Sequence, residues 1–325
     1  MKLPHRRQFL HLAAAAAALP AVSRIAWAQT YPSRPVRIIV GFAPAGGTDI
    51  VARLIGQWLS ERLGQQFVIE NRPGGSGNVG VEAVVRAPAD GYTLLLCGTP
   101  NATNAALYDK LNFDFTHDIA PVASIVRVPY VMEVHPSVPA KSLPEFIAYA
   151  KANPRKLNIA SPGNGTGSHL AGELFKMMAG VDLFHVPYRG AQVFPALLAG
   201  DAHVYFGLLL SSIEYVRAGK LRALAVTTTT RSEVLPDVPV LSDTLPDYEA
   251  SAWFGIGAPK STPPELVERL NKEVNISIAD PKLKARLANL GGTVLAGSPA
   301  DFGKLISDET KKWGKVIVAA NIKPR

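Results

Sequence analysis

Two glycine-rich stretches are the residues of this chain whose types and spacing could do chemistry. The first is Gly41-Phe42-Ala43-Pro44-Ala45-Gly46-Gly47-Thr48-Asp49. The second is Ser161-Pro162-Gly163-Asn164-Gly165-Thr166-Gly167-Ser168-His169. Each follows a β-type run and opens a helical pattern. Such a loop presents N–H groups without intrahelical acceptors and the positive end of a helix dipole, which suits a carboxylate. Phe42 and Ala43 flank the first loop's approach. Gly46 and Gly47 let a ligand come close to the backbone, and Thr48 adds a hydroxyl. Asp49 is read two ways: it accepts hydrogen bonds from ligand or ordered water, or it caps the helix. In the second loop Gly163, Asn164, Gly165 and Thr166 match this arrangement. His169 either bonds the backbone near the helix start or touches ligand. Two such loops face to face could hold a ligand with a carboxylate at each end.

A third candidate is His185-Val186-Pro187-Tyr188-Arg189-Gly190-Ala191. Tyr188, Gly190 and Ala191 are placed to line a cleft. Arg189 either pairs with an anion or is simply exposed. Thr99, just after an apolar strand, joins the set. Gly75-Ser76-Gly77-Asn78-Val79-Gly80 matches G-x-G-x-x-G, but on a second strand and without the acidic residue expected about 20 positions later. It reads as a tight turn. No G-x-S-x-G, H-E-x-x-H, G-x-x-x-x-G-K-[ST] or C-x-x-C occurs, and the histidines lack zinc-site spacing. No catalytic residue, metal ligand or cofactor is expected. Cys97, the only cysteine, sits in Leu94-Leu95-Leu96-Cys97 and reads as a buried structural thiol.

The start of the chain sets the compartment. His5-Arg6-Arg7-Gln8-Phe9-Leu10, an alanine-rich apolar run to Leu19 and Ala26-Trp27-Ala28 before Gln29 read as a cleaved export signal of twin-arginine type over residues 1–28. The run is too short to span a bilayer of about 30 Å. Periplasmic location follows, where ATP and NAD(P) are absent. Loss of Lys2, Arg6, Arg7 and Arg24 lowers the formal charge from +8 to +4. There is no basic tract, so nucleic acid is not an expected partner.

These loops need scaffolds to position them. Val36–Val40, Phe67–Ile69 and Thr93–Cys97 read as strands, alternating with helical patterns over 49–63 and 79–86. A second α/β series begins at the strand 130–134. Ser142 and Glu145 form a capping box for the helix through Ala152. Strands follow at 158–160, 184–186, 203–208 and 223–226, with helices at 168–178 and 192–198. Residues 227–247, rich in Thr, Pro and Asp, read as a long surface connection. A strand over 253–256 follows, then a T-P-x-E helix start at Thr262, Pro263 and Glu265, and helices to Ala320. The fold class predicted is α/β: two lobes, each a mostly parallel sheet flanked by helices. Lobe 1 comprises 29–128 plus 251–325, and lobe 2 comprises 129–250. Chain crossings near 128 and 251 make a hinge, with a ligand cleft between the lobes.

The chain resembles the Bug-type, TctC-like periplasmic solute-binding proteins of tripartite tricarboxylate transporters. The likeness lies in Tyr31-Pro32-Ser33-Arg34-Pro35, Gly46-Gly47-Thr48-Asp49 with Ala52-Arg53, Glu70-Asn71-Arg72-Pro73-Gly74-Gly75-Ser76-Gly77 and Ala89-Asp90-Gly91-Tyr92. It continues in Gly163-Asn164-Gly165-Thr166 with His169, Val186-Pro187-Tyr188-Arg189-Gly190-Ala191, and Leu235-Pro236-Asp237-Val238-Pro239. The resemblance implies a Venus-flytrap fold and a carboxylate bound largely through backbone amides and ordered waters. There are two departures. Ala45 stands where the family often has glycine, which implies a stiffer or narrower first loop. Ala202-His203-Val204-Tyr205-Phe206-Gly207 lacks both aspartates of a V-D-x-x-F-D pattern, which implies a less polar second lobe.

The leading functional expectation is a monomeric, non-enzymatic receptor for a small organic acid, serving the integral membrane subunits of a tripartite tricarboxylate-type transporter. A receptor feeding a sensor partner comes second, and a periplasmic hydrolase third.

Overall fold

The computed structural model describes residues 31–108 and 110–323, so the export-signal call on residues 1–28 lies outside the described residues. The first βαβαβ run is β1 (Val36–Val40), α1 (Gly47–Leu63), β2 (Phe67–Asn71), α2 (Asn78–Val85) and β3 (Thr93–Gly98). It is extended by α3 (Thr99–Leu107) and the single turn α4 (Phe115–Asp118). A long strand, β4 (Ile119–Val134), leads into α5 (Leu143–Ala152), β5 (Asn158–Ser161), α6 (Gly167–Ala179) and β6 (Phe184–Pro187). Then come α7 (Val193–Ala199), β7 (Val204–Leu208), α8 (Leu209–Arg217) and β8 (Arg222–Val226). β9 (Ser251–Pro259) brings the chain back to the first sheet. α9 (Pro264–Ala279), α10 (Pro281–Asn289), β10 (Thr293–Val294) and α11 (Pro299–Ala319) complete it.

The strand order is β2-β1-β3-β9-β4-β7-β5-β6, with β8 and β10 also on β4. The pairs β1–β2, β1–β3, β5–β6 and β5–β7 are parallel. Every antiparallel pair involves β4 or β9, the strands at which the chain passes between sheets. β4 runs along β9 from Ile119 to Pro129 and then, from Tyr130 to Val134, between β7 and β8. One strand therefore belongs to both lobes.

Local sequence explains most elements. β1 buries Val36, Ile38, Ile39 and Val40, as a strand covered on both faces must. α1 buries Val51, Leu54, Ile55 and Leu59 at helical spacing and ends at Gly64, whose φ of 70° lets its N–H reach Ser60 O. Gly41 passes so close to Gly77 and Gly80 that a methyl on Gly80 would lie 2.8 Å from Gly41 Cα. The G-x-G-x-x-G run thus serves backbone packing.

The structure departs from the sequence reading in five places. β4 starts at Ile119 instead of 130: Pro121 and Pro129 mask the strand signal, and a register shift after Pro121 accommodates the first of them. Helices α3 and α8 were not expected. Thr262 does not cap α9, because a second proline, Pro264, moves the helix start one residue on and leaves the Thr262 hydroxyl buried without a partner. Ser142 caps α5 as expected, with its Oγ accepting from Glu145 N at 3.4 Å, but the return bond is displaced by one residue, Glu145 Oε2 accepting from Lys141 N at 2.9 Å. The connection 227–247 is only partly at the surface: Leu241 is fully buried, as is Tyr248 just beyond it, and Tyr248 donates to Ala171 O at 2.7 Å.

At the crossings the chain is stitched by one buried hydroxyl. Thr227 Oγ1 accepts from Tyr130 N at 2.9 Å, and it lies 2.9 Å from Tyr130 O and 2.6 Å from Ala250 O. Thr227 O in turn accepts from Ala250 N.

Candidate functional site

Between the two sheets lies a cavity that opens to solvent on one side. Phe42, Ala43, Gly46, Gly47 and Thr48 of the first loop line it, together with Thr99 and Pro100 at the start of α3. The second sheet contributes Pro162, Thr166, Gly167, Ser168, Gly190, Ala191, Val193, Phe194, Tyr205, Leu208 and Ser211. Tyr130, Ala252 and Phe254 come from the crossing strands β4 and β9. No lining residue carries a charge.

Three helices begin at this cavity. α1 has Gly46 as its N-cap, and α6 has Thr166; neither supplies a side-chain acceptor to its first turn. Thr166 Oγ1 instead donates to Gly163 O at 2.7 Å. α3 begins at Thr99, whose buried hydroxyl meets the phenol of Tyr130, and Asn101 Oδ1 accepts from Gly98 N at 2.8 Å. First-turn N–H groups and the dipoles supply the only positive potential in the lining.

The two sides already touch. A methyl on Gly47 would lie 2.7 Å from Leu208 Cδ1, and one on Gly190 would lie 3.5 Å from Ala43 Cβ. Ser76 Oγ donates to Asn164 O at 2.8 Å, and Tyr108 OH donates to Ser76 Oγ at 3.2 Å. Outside this contact a broader cleft is lined by Pro44, Gly74, Gly75, Gly163, Asn164, Tyr188 and Arg189 among others.

Of the sequence-predicted residues, Phe42, Ala43, Gly46, Gly47, Thr48, Thr99, Thr166, Gly190 and Ala191 meet at the cavity. Gly163, Asn164 and Tyr188 line the outer cleft instead. Gly165 packs on Leu107, with φ of 69°. Arg189 is exposed at the cleft. Asp49 and His169 are buried in bracing roles. Asp49 Oδ2 accepts from Ala45 N at 2.9 Å and Arg53 Nε at 2.8 Å; Oδ1 accepts from Asn71 Nδ2 at 2.9 Å. Burial opposes its ionisation, but the bonds from Arg53, Ala45 and Asn71 outweigh it and hold the carboxyl below the usual range. Asp49 thereby pins Ala45, whose φ of 66° is a left-handed conformation that suits glycine better. His169 Nδ1 accepts from Gly165 N at 3.1 Å, and its ring stacks on His185 at 3.7 Å.

Sequence reading missed Tyr130, Phe194, Tyr205, Leu208, Ser211, Ala252 and Phe254. These lie on buried strands or on the helices α7 and α8, which begin beside the cavity, so no loop motif marks them. Burial pushes the phenols of Tyr130 and Tyr205 above their ordinary range, so both remain protonated hydrogen-bond donors. Cys97 is fully buried, and burial raises its thiol likewise.

The profile of the tripartite tricarboxylate transporter family receptor matches residues 51–322. The chain belongs to this receptor family. It is 37% identical over 295 residues to a UPF0065 protein from the tcbD-tcbE intergenic region of Pseudomonas sp. strain P51, covering 89% of this chain and 87% of that one. It is 34% identical to BugT of Bordetella pertussis over 89% of this chain and 90% of BugT. Among solved structures, a protein of R. palustris with adipate superposes with a TM-score of 0.88 at 38% identity, over 91% of this chain and all of that one. The receptor family and its two-lobed α/β architecture agree with the fold of this chain. A second relative, MatC of Rhodopseudomonas palustris, superposes with a TM-score of 0.83 at 31% identity, over 88% of this chain and all of that one, and holds malate.

Proposed function

We propose that the protein is a periplasmic receptor that binds a small organic acid in the interlobe cavity and delivers it to the membrane subunits of a tripartite tricarboxylate-type transporter. Export by the N-terminal signal and a monomeric state belong to the same reading. So does a division into 29–128 plus 251–325 and 129–250, with Thr227, Tyr130 and Ala250 at the hinge. The observation that supports it is the convergence of three helix starts, none with an N-cap side chain bonded to its first turn, on one cavity with no charged lining. Such a site attracts an anion through backbone dipoles and excludes none of the chemistry attached to it. The adipate complex of the R. palustris relative supports a carboxylate as that anion.

A thermal-shift screen over mono-, di-, tri- and aromatic carboxylates tests this reading, since a ligand of the folded state raises the midpoint by mass action. At least one carboxylate is expected to stabilise the protein and to be recovered unchanged. No shift across all four classes would refute it.

A further inference from the structure

We propose that Ser76 is a positioning residue for ligand binding: its hydroxyl clasps the second loop across the cleft and biases the two sides toward the closed arrangement. This deepens the reading of the cavity as an organic-acid site and rests on it.

The turn after β2 runs through four consecutive positive φ values: 145° at Gly74, 53° at Gly75, 54° at Ser76 and 96° at Gly77. Three of the four are glycine, which adopts this conformation without a steric penalty. Ser76 is the exception, and its Cβ makes the left-handed conformation costly. The same residue makes a contact that glycine could not make. Ser76 Oγ donates to Asn164 O at 2.8 Å, on the other side of the cleft.

The hydroxyl is aimed. Tyr108 OH donates to Ser76 Oγ at 3.2 Å, which leaves the serine's own proton for Asn164 O. Ser76 O accepts from Asn104 Nδ2 at 3.0 Å, so the turn is anchored to α3. The next residue of the second loop meets α3 as well: Thr103 Oγ1 lies 3.4 Å from Gly165 O, and a Cβ on Gly165 would lie 2.2 Å from Leu107 Cδ2. Asn164 stands between Pro162 and Thr166, which both line the cavity. Ser76, Tyr108 and Asn164 themselves line the outer cleft. The clasp therefore fixes the wall of the site from outside it. A contact of the protein with itself that favours closure raises the share of binding-competent molecules, and affinity rises with that share.

Ser76→Gly and Ser76→Ala separate the clasp from the strain, since both remove the hydroxyl and only glycine removes the strain. The probe for calorimetry is adipate, or the acid with the largest shift in the screen above if adipate gives none. Both variants are expected to bind it about fivefold more weakly than the wild type, the equivalent of one neutral hydrogen bond. Their melting temperatures without carboxylate are expected to part, with Ser76→Gly above Ser76→Ala. Wild-type affinity in Ser76→Gly, with a loss in Ser76→Ala alone, would reduce Ser76 to a residue of the turn and overturn the proposal. Small-angle scattering of the mature chain without added carboxylate is expected to give both variants a larger radius of gyration than the wild type. Equal radii would overturn the clasp. No binding of any carboxylate by the wild type would remove the organic-acid reading instead, and the scattering comparison would still decide whether Ser76 holds the two sides together.

Discussion

The hydroxyl of Tyr130 occupies the space that a side chain at Gly167 would need. One residue comes from the strand shared by both sheets, and the other is the first residue of α6. Their contact ties the shared strand to the second loop. Gly167→Ala should therefore cost about 1–3 kcal/mol of stability through overpacking. The cost should shrink in a Tyr130→Phe background, because the clashing oxygen is gone. Denaturant unfolding of the four proteins of this cycle measures the coupling. Equal costs in both backgrounds would show that Gly167 is constrained by something other than Tyr130.

Gly47 faces Leu208 across the cavity, and the methyl-to-Cδ1 distance of 2.7 Å leaves no space for a side chain. Its neighbour Gly46 is unhindered, with φ of −81°, so backbone strain is not the reason for glycine there. Gly47→Val is expected to hold the two sides apart and to weaken ligand binding by tenfold or more with the fold intact. Gly46→Ala should fold normally and lose affinity only by crowding the ligand. Wild-type affinity for Gly47→Val by calorimetry would contradict the closed contact seen here.

Asp49 was expected either to cap α1 or to meet the ligand, and the structure gives it a third task. Its carboxylate holds Ala45 in a left-handed conformation and ties Arg53 and Asn71 to the loop. Asp49→Ala should cost about 1–3 kcal/mol, because Ala45 N and Asn71 lose a buried acceptor. Affinity should fall as well, through a loosened Gly46-Gly47 turn. Restoring loop freedom with Ala45→Gly should not rescue affinity in that variant. Measuring melting temperature and dissociation constant on the same samples decides the matter. An affinity loss with no stability loss would return Asp49 to direct ligand contact.

The loop half of this site was legible because glycine, threonine and proline between a strand and a helix have few other uses. Phe42, Gly46, Thr48, Thr166 and Ala191 were found this way. Tyr130, Ala252 and Phe254 were not, since they lie within long runs of buried residues whose alternation is hidden by cover on both faces. His169 was legible as a backbone partner near the helix start, where it accepts from Gly165 N, but its stacking on His185 was not, since that depends on the path of the third loop. Glu133 gave no signal at all. Its isolation depends on Gly207, more than 70 positions away, and only the β4–β7 register brings the two together.

Thr227 links the two crossings through Tyr130 and Ala250. Thr227→Val keeps the shape but removes the acceptor of Tyr130 N, at an expected cost of about 1–3 kcal/mol. If the crossings form a hinge, the same change should alter the open–closed balance. Small-angle scattering should show a smaller radius of gyration with saturating ligand in the wild type and a reduced change in the variant. An unchanged radius on ligand addition in the wild type would argue against closure about this point.

The buried acid makes a prediction about pH. Burial raises the Glu133 carboxyl from 4.5 to about 8. Between those values the folded chain holds a proton that the unfolded chain has released. Stability contributed by this group is therefore complete below about pH 4.5 and declines as pH rises toward 8, flattening above it. The decline should total on the order of 3–5 kcal/mol, at about 1.4 kcal/mol per pH unit. Glu133→Gln cannot ionise, so its stability should exceed that of the wild type increasingly from pH 5 to pH 8. Urea unfolding midpoints across that range, compared between the two proteins, check the slope. Parallel curves would mean that Glu133 is held by a partner that stabilises its charged form.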